Sequence, residues 1–537
     1  MLFTTRRIGT VLLSVSLTVG VAAWLTSVSH AADETQGVVS RTVSGCAGTL
    51  DTTFDGDGVV TTSISSTKGD VAMAVALQFD GKIVTAGYTG NAAGSSDVAV
   101  VRYNADGTLD SSFGAGGKVI TTFGTGSIAY SVAIQPADQK IVIAGSVSNK
   151  FLLIRYNANG SLDTSFDGDG IVTTQLGNGD TATGVAMSLG GKIVAAGLTY
   201  NGANWDFGVA RYNPDGSLDT TFDGDGKTTT AIGAAEDIAN SVAIQADGKI
   251  VAAGDTYNSA GSNKDFAVVR YNVNGSLDTS FGGTGKVVTA IGTGDDIAFA
   301  VAIQPDGRIV AAGYGSDNIL NVDFALARYN ADGTLDTSFD SDGMVRTAVG
   351  PEGDAVRALA VQTDGKIVAA GYASSGTSGF AAARYNLSGS LDSNFGTSGI
   401  VVTPLGTQSS AYSAAIQPDG KIVAAGIASD TAKNNYDFAV VRYAAQCAPT
   451  AAHVVVSGWV LTAADRMPIG KARVTFRSPD GVTRMTTTNS FGYFTLPDIE
   501  VGSTYIVSTQ AKGYTFSPRT ISVVDAMAGF EVIARPN

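Results

Sequence analysis

Residues Arg102–Phe113 read R-Y-N-A-D-G-T-L-D-S-S-F, and the chain writes this stretch again from Arg155, Arg211, Arg270, Arg328 and Arg384. Arg442-Tyr443 carries only its left half, and Gly48–Phe54 (G-T-L-D-T-T-F) carries only its right half. The right half opens the array and the left half ends it, which predicts a ring whose two ends build one unit together. Outward from this motif, the copy-to-copy phenylalanines Phe54, Phe113, Phe166, Phe222, Phe281, Phe339 and Phe395 stand 53 to 59 residues apart. A second motif, clearest as V-A-I-Q-P-D-G-R-I-V-A-A-G at Val301–Gly313, recurs around Lys82, Lys140, Lys192, Lys249, Arg308, Lys366 and Lys421. The array therefore holds seven units.

Each unit offers four strands. In the fifth, strand a is expected near Ala298–Gln304, strand b at Arg308–Gly313, strand c at Asp323–Asn330 and strand d from Gly343. Pro305-Asp306-Gly307 links a to b, and Ala331-Asp332-Gly333 links c to d; Asp-Gly between apolar runs signals a tight hairpin, because glycine accepts positive φ. The second unit (Gln135–Gln139) and the third (Ser188–Gly191) depart from that pattern, so their turns are expected to differ. Strand c, D-F-A-L-A-R-Y, is apolar on both faces and needs neighbours on both sides. Four-stranded sheets stacked radially supply them. The expected fold is all-β, a seven-bladed β-propeller closed by its N-terminal strand, with Gly58–Thr62 as strand d of the last blade and Ala411–Tyr443 as its strands a to c. An open solenoid would also bury both faces but would need capped ends.

Counted from the repeat tyrosine and phenylalanine, Cys447 and Cys46 both fall at the c–d turn that the closing blade lacks. A disulfide Cys46–Cys447 is expected in place of the missing peptide link, and closing so long a loop contributes up to about 5 kcal/mol.

The R-Y-N-x-D-G-x-L-D-x-x-F and Q-P-D-G-K-I-V-x-A-G signatures resemble the delta-60 repeats of bacterial propeller proteins over Cys46–Cys447. That resemblance implies a fold and no defined activity. After a linker at 448–452 the pattern changes. Residues 453–537, through Gly458, Pro468, Ala472, Val474, Gly492 and Tyr493, are similar to the carboxypeptidase regulatory-like domain, a small transthyretin-related β-sandwich. The resemblance implies an accessory module and not a peptidase.

Composition bounds the partners. Over 537 residues the formal net charge is −14, and no lysine or arginine run appears, which argues against nucleic acid and anionic lipid. Glycine numbers 67 and charged residues make up 15%, a balance that suits many turns and strands buried on both faces. Residues 1–31 read as an export signal: Arg6 and Arg7, an apolar run at Ile8–Leu25, then Ser29-His30-Ala31. The same run is long enough to act as an uncleaved anchor. Residues 32–45 form a polar leader. A secreted or cell-surface bacterial protein is expected, monomeric and without membrane contact once the signal is removed.

Catalytic parts are scarce. The two histidines are His30, in the signal, and His453, in the tail, which excludes a Ser-His-Asp triad or a histidine-based zinc site within the array. Its only glutamates are Glu236 and Glu352, and it has no phosphate-cradling loop. At the start of strand a stand Asp70, Ser127, Asp180, Asp237, Asp296, Asp354 and Ser409. If strand a lines a central channel, five carboxylates ring one mouth, either as a site for Ca²⁺ or a polar ligand or as caps for nearby backbone amides. The D-G-D-G runs at Asp55, Asp167 and Asp223 look like calcium loops. Other copies read G-A-G-G and G-G-T-G there, so a backbone requirement explains them better. No cofactor is expected, with Ca²⁺ as the alternative. The repeated Arg and Asp (Arg102 with Asp110, closing with Arg442 and Asp51) read as structural ion pairs.

The b–c loops vary in length and carry Tyr200, Trp205, Tyr257 and Tyr436, candidates for stacking on a sugar or filling a protein interface. The leading expectation is a non-enzymatic binding or scaffold protein for an extracellular carbohydrate or protein. A polysaccharide hydrolase or lyase using Asp237 and Asp296 is one alternative, and a purely structural surface protein is another.

Overall fold

The computed structural model describes residues 47–65, 68–188, 190–257, 263–318, 321–430, 435–445, 453–478, 483–500, 504–523 and 527–536. The expected export signal and leader lie outside the described residues, as do Cys46 and Cys447.

Seven four-stranded antiparallel sheets carry the repeats. Blade 1 runs Asp70–Leu77 (a), Ile83–Gly90 (b), Ser96–Tyr103 (c) and Lys118–Thr121 (d), and blades 2 to 6 repeat this order. Blade 7 takes strands a to c from Ser409–Ile416, Ile422–Asp430 and Asn435–Tyr443, and its strand d is Val59–Thr62. Val59 pairs with Val441 and Thr62 with Phe438, in the antiparallel register of every other c–d pair. The split motif thus becomes one sheet, and the array is a seven-bladed β-propeller.

The seam between blades 7 and 1 packs as the other junctions do. Phe54 and Val60 from the N-terminal segment share an apolar cluster with Val423 and Val440 of blade 7 and Val75 and Val101 of blade 1. The repeat tyrosine closes each junction. Tyr212 donates to Thr174 (2.8 Å), Tyr271 to Thr230 (2.9 Å), and across the seam Tyr103 donates to Thr62 (2.9 Å).

The repeat arginine is a three-way fastener. Arg270 pairs through Nε with Asp278 (2.7 Å), stacks 4.6 Å above the Phe281 ring and donates through Nη1 to Ala331 of the next blade (2.6 Å). Arg442 does the same with Asp51 (2.8 Å), the Phe54 ring (4.7 Å) and the Ala105 carbonyl of blade 1. Removing one partner of a buried pair of this kind costs about 3–5 kcal/mol. Burial alone would raise the Asp51 pKa, but bonds from Thr53 and Lys421 and the charge of Arg442 outweigh it and hold the carboxyl below its ordinary 3.8. A carboxyl depressed in the folded state stabilises above its unfolded pKa and loses that contribution as pH falls. The stability gap between wild type and Asp51→Asn is therefore expected to stay constant from about pH 8 to about pH 5 and to close below about pH 4. Urea midpoints measure it, and a gap indifferent to pH would contradict the assignment.

Two local expectations need correction. Ala331-Asp332-Gly333 does not join strand c directly to strand d. The chain turns there, Leu335 bridges back to Tyr329, and a second turn closed by Gly343 N–H donating to Phe339 O (2.7 Å) leads into Met344–Thr347. The extra segment carries the aspartate back to its arginine. In the a–b turns, Gly191 donates to Ser188 as Gly307 does to Gln304, so the third unit keeps the common turn. The second departs: Gln139, at φ 59°, bonds to Gln135 across one extra residue.

The tail forms two further four-stranded sheets. In one, His453–Thr462 lies between Tyr493–Glu500 (antiparallel) and Met527–Pro536 (parallel). In the other, Arg473–Arg477 lies between Thr483–Thr487 and Thr504–Gln510. Val456, Val474, Phe476, Phe494 and Phe530 fill the core between them. Trp459 stays out of that core; it packs on Tyr493 (5.2 Å between centroids) and meets Phe79 of a blade 1 a–b turn (6.4 Å).

Candidate functional site

Strand a is the innermost strand of each blade, and in all seven its pairing with strand b breaks at one place. The breaks fall at Ala72/Ala74, Ala129/Ser131, Ala182/Gly184, Ala239/Ser241, Ala298/Ala300, Val356/Ala358 and Ala411/Ser413. A bulge puts one extra residue on a strand and re-aims its side chain. Here it sends Met73, Tyr130, Thr183, Asn240, Phe299, Arg357 and Tyr412 to the wall of the central channel. The facing strand b must accept the closer backbone. A Cβ on Gly313 would sit 1.8 Å from the Ile297 carbonyl oxygen, and one on Gly371 1.9 Å from that of Ala355. This is the physical reason for the last glycine of I-V-A-A-G.

The residues on either side of the bulge are small or aliphatic in every blade, whereas the bulged residue changes chemistry from blade to blade. Behind the wall, Tyr88, Tyr314 and Tyr372 of strand b pair with Val71, Ile297 and Ala355 and neighbour Tyr130, Phe299 and Arg357. The channel encloses about 390 Å³. On one side lie Phe299 and Tyr314, 5.9 Å apart, with the Arg357 guanidinium 3.9 Å from the Phe299 ring and 5.7 Å from that of Tyr372. Next to them on blade 4, Asn240 donates to Asp255 and to the Ala298 carbonyl of blade 5, and the second oxygen of Asp255 is held 2.9 Å from Lys264 Nζ. Burial raises the pKa of Tyr130 and Tyr412, and burial with the nearby charges of Asp295 and Asp255 brings Tyr314 to about 12. These phenols stay protonated at neutral pH and can donate hydrogen bonds.

The five carboxylates at the start of strand a do not open into the mouth. Asp70, Asp180, Asp237, Asp296 and Asp354 are all buried, and their oxygens are taken by amides of the loop that precedes the strand. Asp296 accepts from Ile291 (2.7 Å), Gly292 (2.8 Å) and Ser316 (3.0 Å), and Asp354 accepts from Val349, Gly350 and Ser374. Asp70, Asp180 and Asp237 each accept two such amides and a threonine hydroxyl. Ser409 accepts from Leu405 in the same way.

At the D-G-D-G position the backbone is left-handed in every copy, whether occupied by Asp55 (φ 49°), Asp167 (51°), Asp223 (50°), Asp340 (50°), Gly114 (54°), Gly282 (59°) or Gly396 (51°). Among the described residues no group of three or more His, Cys, Asp or Glu side chains is arranged to hold a metal ion.

The four aromatic candidates sit at the ends of b–c hairpins. Tyr200 and Trp205 are cross-strand partners with rings 5.3 Å apart, and Trp205 covers Gly179. Tyr257 lies under the Lys264 ammonium (5.4 Å), and Tyr436 donates to Gln408. They stand on blades 3, 4 and 7, and only Tyr200 and Trp205 form a pair. Tyr436 lies close enough to Tyr412 to affect its ionisation. The bulge residues were not singled out from the sequence. The available signal was a column that varies inside an otherwise uniform strand, opposite a glycine present in every copy.

Seven stretches match the family model described as "Domain of unknown function (DUF5122) beta-propeller": 78–113, 137–166, 191–222, 245–281, 304–339, 362–395 and 417–446. The chain is a β-propeller repeat protein. No curated protein matches it. Among solved structures, this propeller is similar to the polysaccharide lyase Uly1 at 12% identity and a TM-score of 0.37, covering 72% of this chain and 91% of that one. Sqt1 from Chaetomium thermophilum matches at 11% identity and a TM-score of 0.39, covering 73% and 99%. A polysaccharide lyase described as PL25-Ulvanlyase matches at 12% identity and 0.38, covering 71% and 95%. At these values the likeness carries no argument about activity.

Proposed function

We propose that this propeller is an exported, non-enzymatic binding protein that holds a carbohydrate segment in the aromatic mouth of its channel. The observation that carries the reading is the variable bulge column. The scaffold is written seven times almost unchanged, while the side chains it aims at one cavity are of six kinds over seven blades. Aromatic faces accept the C–H faces of sugar rings, the phenols can donate to hydroxyls, and the oxygens of Asn240 and Thr183, whose own donors are spent on Asp255 and on backbone carbonyls, can accept from them. About 390 Å³ falls within the usual size of a small-ligand site. What favours binding over hydrolysis or elimination is that Asp237 and Asp296 have their oxygens committed to backbone amides and hydroxyls. The tail would serve as a spacer or second module.

A glycan array followed by calorimetry tests this. The wild type is expected to bind at least one glycan, and Tyr130→Ala and Tyr412→Ala are each expected to weaken it by roughly tenfold, about 1.4 kcal/mol. Binding that survives both changes and disappears with Trp205→Ala would move the site to the rim. No binding to any glycan would end the carbohydrate reading.

A further inference from the structure

We propose that Arg357 makes the channel mouth selective for an acidic sugar, one bearing a carboxylate or sulfate; this rests on the carbohydrate reading above. Every repeat arginine is paired with an aspartate: Arg102, Arg155, Arg211, Arg270, Arg328, Arg384 and Arg442 each have a carboxylate oxygen within 2.9 Å of Nε. Lys264, at the same mouth, is paired with Asp255. Arg357 differs. It lines the cavity, its guanidinium lies against Phe299 and Tyr372, and among the described residues it makes no ion pair. Its Nε is buried without a hydrogen-bond partner.

In a chain of net charge −14, carboxylates to pair with are plentiful, so an unpaired arginine on a channel wall is a notable exception. Stacking on Phe299 fixes the guanidinium plane by contacts that leave its N–H groups unused. A planar fork of donors matches a carboxylate or sulfate in bidentate fashion. The nearby Tyr372 and Tyr412 bring hydroxyls that can donate hydrogen bonds to the same anion. Arg357 also occupies the bulge position, so the six other blades show the alternatives this scaffold tolerates there, and none is a cation: Met73, Tyr130, Thr183, Asn240, Phe299 and Tyr412.

The test uses the full-length protein and three probes: an oligogalacturonate, the same oligomer with its carboxyls reduced to alcohols, and a sulfated galactan oligomer. The wild type is expected to bind at least one acidic probe more tightly than the reduced oligomer. Arg357→Gln is expected to lose roughly 10- to 100-fold for that acidic probe with little change for the reduced one, and Arg357→Lys to recover part of the loss. Which acidic probe binds identifies carboxylate or sulfate as the group recognised. The melting temperature of Arg357→Gln is expected to equal or exceed that of wild type, because the change removes an unpaired, partly buried charge. A lower melting temperature with unchanged affinities would make Arg357 a structural residue and overturn the proposal. Equal wild-type affinity for acidic and reduced probes would also overturn it while leaving the carbohydrate reading standing. Failure of every glycan would overturn both.

Discussion

Deletion of residues 47–62, with the preceding leader kept in place, is expected to abolish cooperative folding of the propeller. The cut removes one strand of 28 from the blades, yet it takes away the contacts that close the ring. Phe54 is fully buried, and losing a buried phenylalanine costs about 3–5 kcal/mol. Arg442 loses Asp51, its stacking ring and Thr53 together, which adds about 3–5 kcal/mol for an uncompensated buried charge. Val60, four strand pairings and the Tyr103–Thr62 bond go as well. The sum approaches or exceeds the roughly 5–15 kcal/mol that holds a typical domain folded. It would also bare the edge of Asn435–Tyr443, an invitation to aggregation. Thermal unfolding followed by circular dichroism reads the outcome, and adding a synthetic 47–62 peptide should restore a transition. A deleted chain that melts like wild type would show that the ring does not need its N-terminal strand.

Alanine at a strand b glycine should also be strongly destabilising. In Gly313→Ala the new Cβ would stand 1.8 Å from the Ile297 carbonyl oxygen, a backbone atom that cannot rotate away. Either strand a moves or the bulge is lost, and Phe299 leaves its place on the channel wall. Overpacking costs about 1–3 kcal/mol where side chains can adjust, so the upper end or beyond is expected here. Gly190→Ala is the matched control: it has ordinary φ and nothing within 4 Å of the added carbon, and the change should be neutral or slightly stabilising. Paired urea titrations compare the two. Equal midpoints would mean that the bulge does not demand glycine.

The closed propeller could be read from the sequence because ring closure leaves a mark that composition does not blur. Arg442-Tyr443 and Gly48–Phe54 are complementary fragments of one motif, and only a shared blade explains both. The Arg–Asp pairing followed from the same repetition. The channel wall was harder to read. Strand a looks like a plain run of alanine and valine, and period-two alternation breaks at a bulge without any turn residue to announce it. The glycine that permits the bulge lies on another strand, at Gly87 for Met73 and Gly371 for Arg357. The carboxylates were partly legible: Asp70, Asp237 and Asp296 do start strand a, and of the two readings the sequence left open, mouth site or backbone cap, they act as caps, folding back onto the preceding loop and leaving the mouth to neighbours three residues on. The b–c aromatics were legible as loop residues. That Tyr200 and Trp205 would spend their faces on each other depended on cross-strand register that the variable loop length concealed.

Native-state hydrogen exchange, read by mass spectrometry on the peptides spanning Val59–Thr62 and Lys227–Thr230, tests the closed ring most directly. If both chain ends build one blade, the amides of Val59–Thr62 will exchange as slowly as those of the corresponding strand in blade 3, which is continuous in sequence with its own blade. Rapid exchange at Val59–Thr62 beside slow exchange at Lys227–Thr230 would contradict the account.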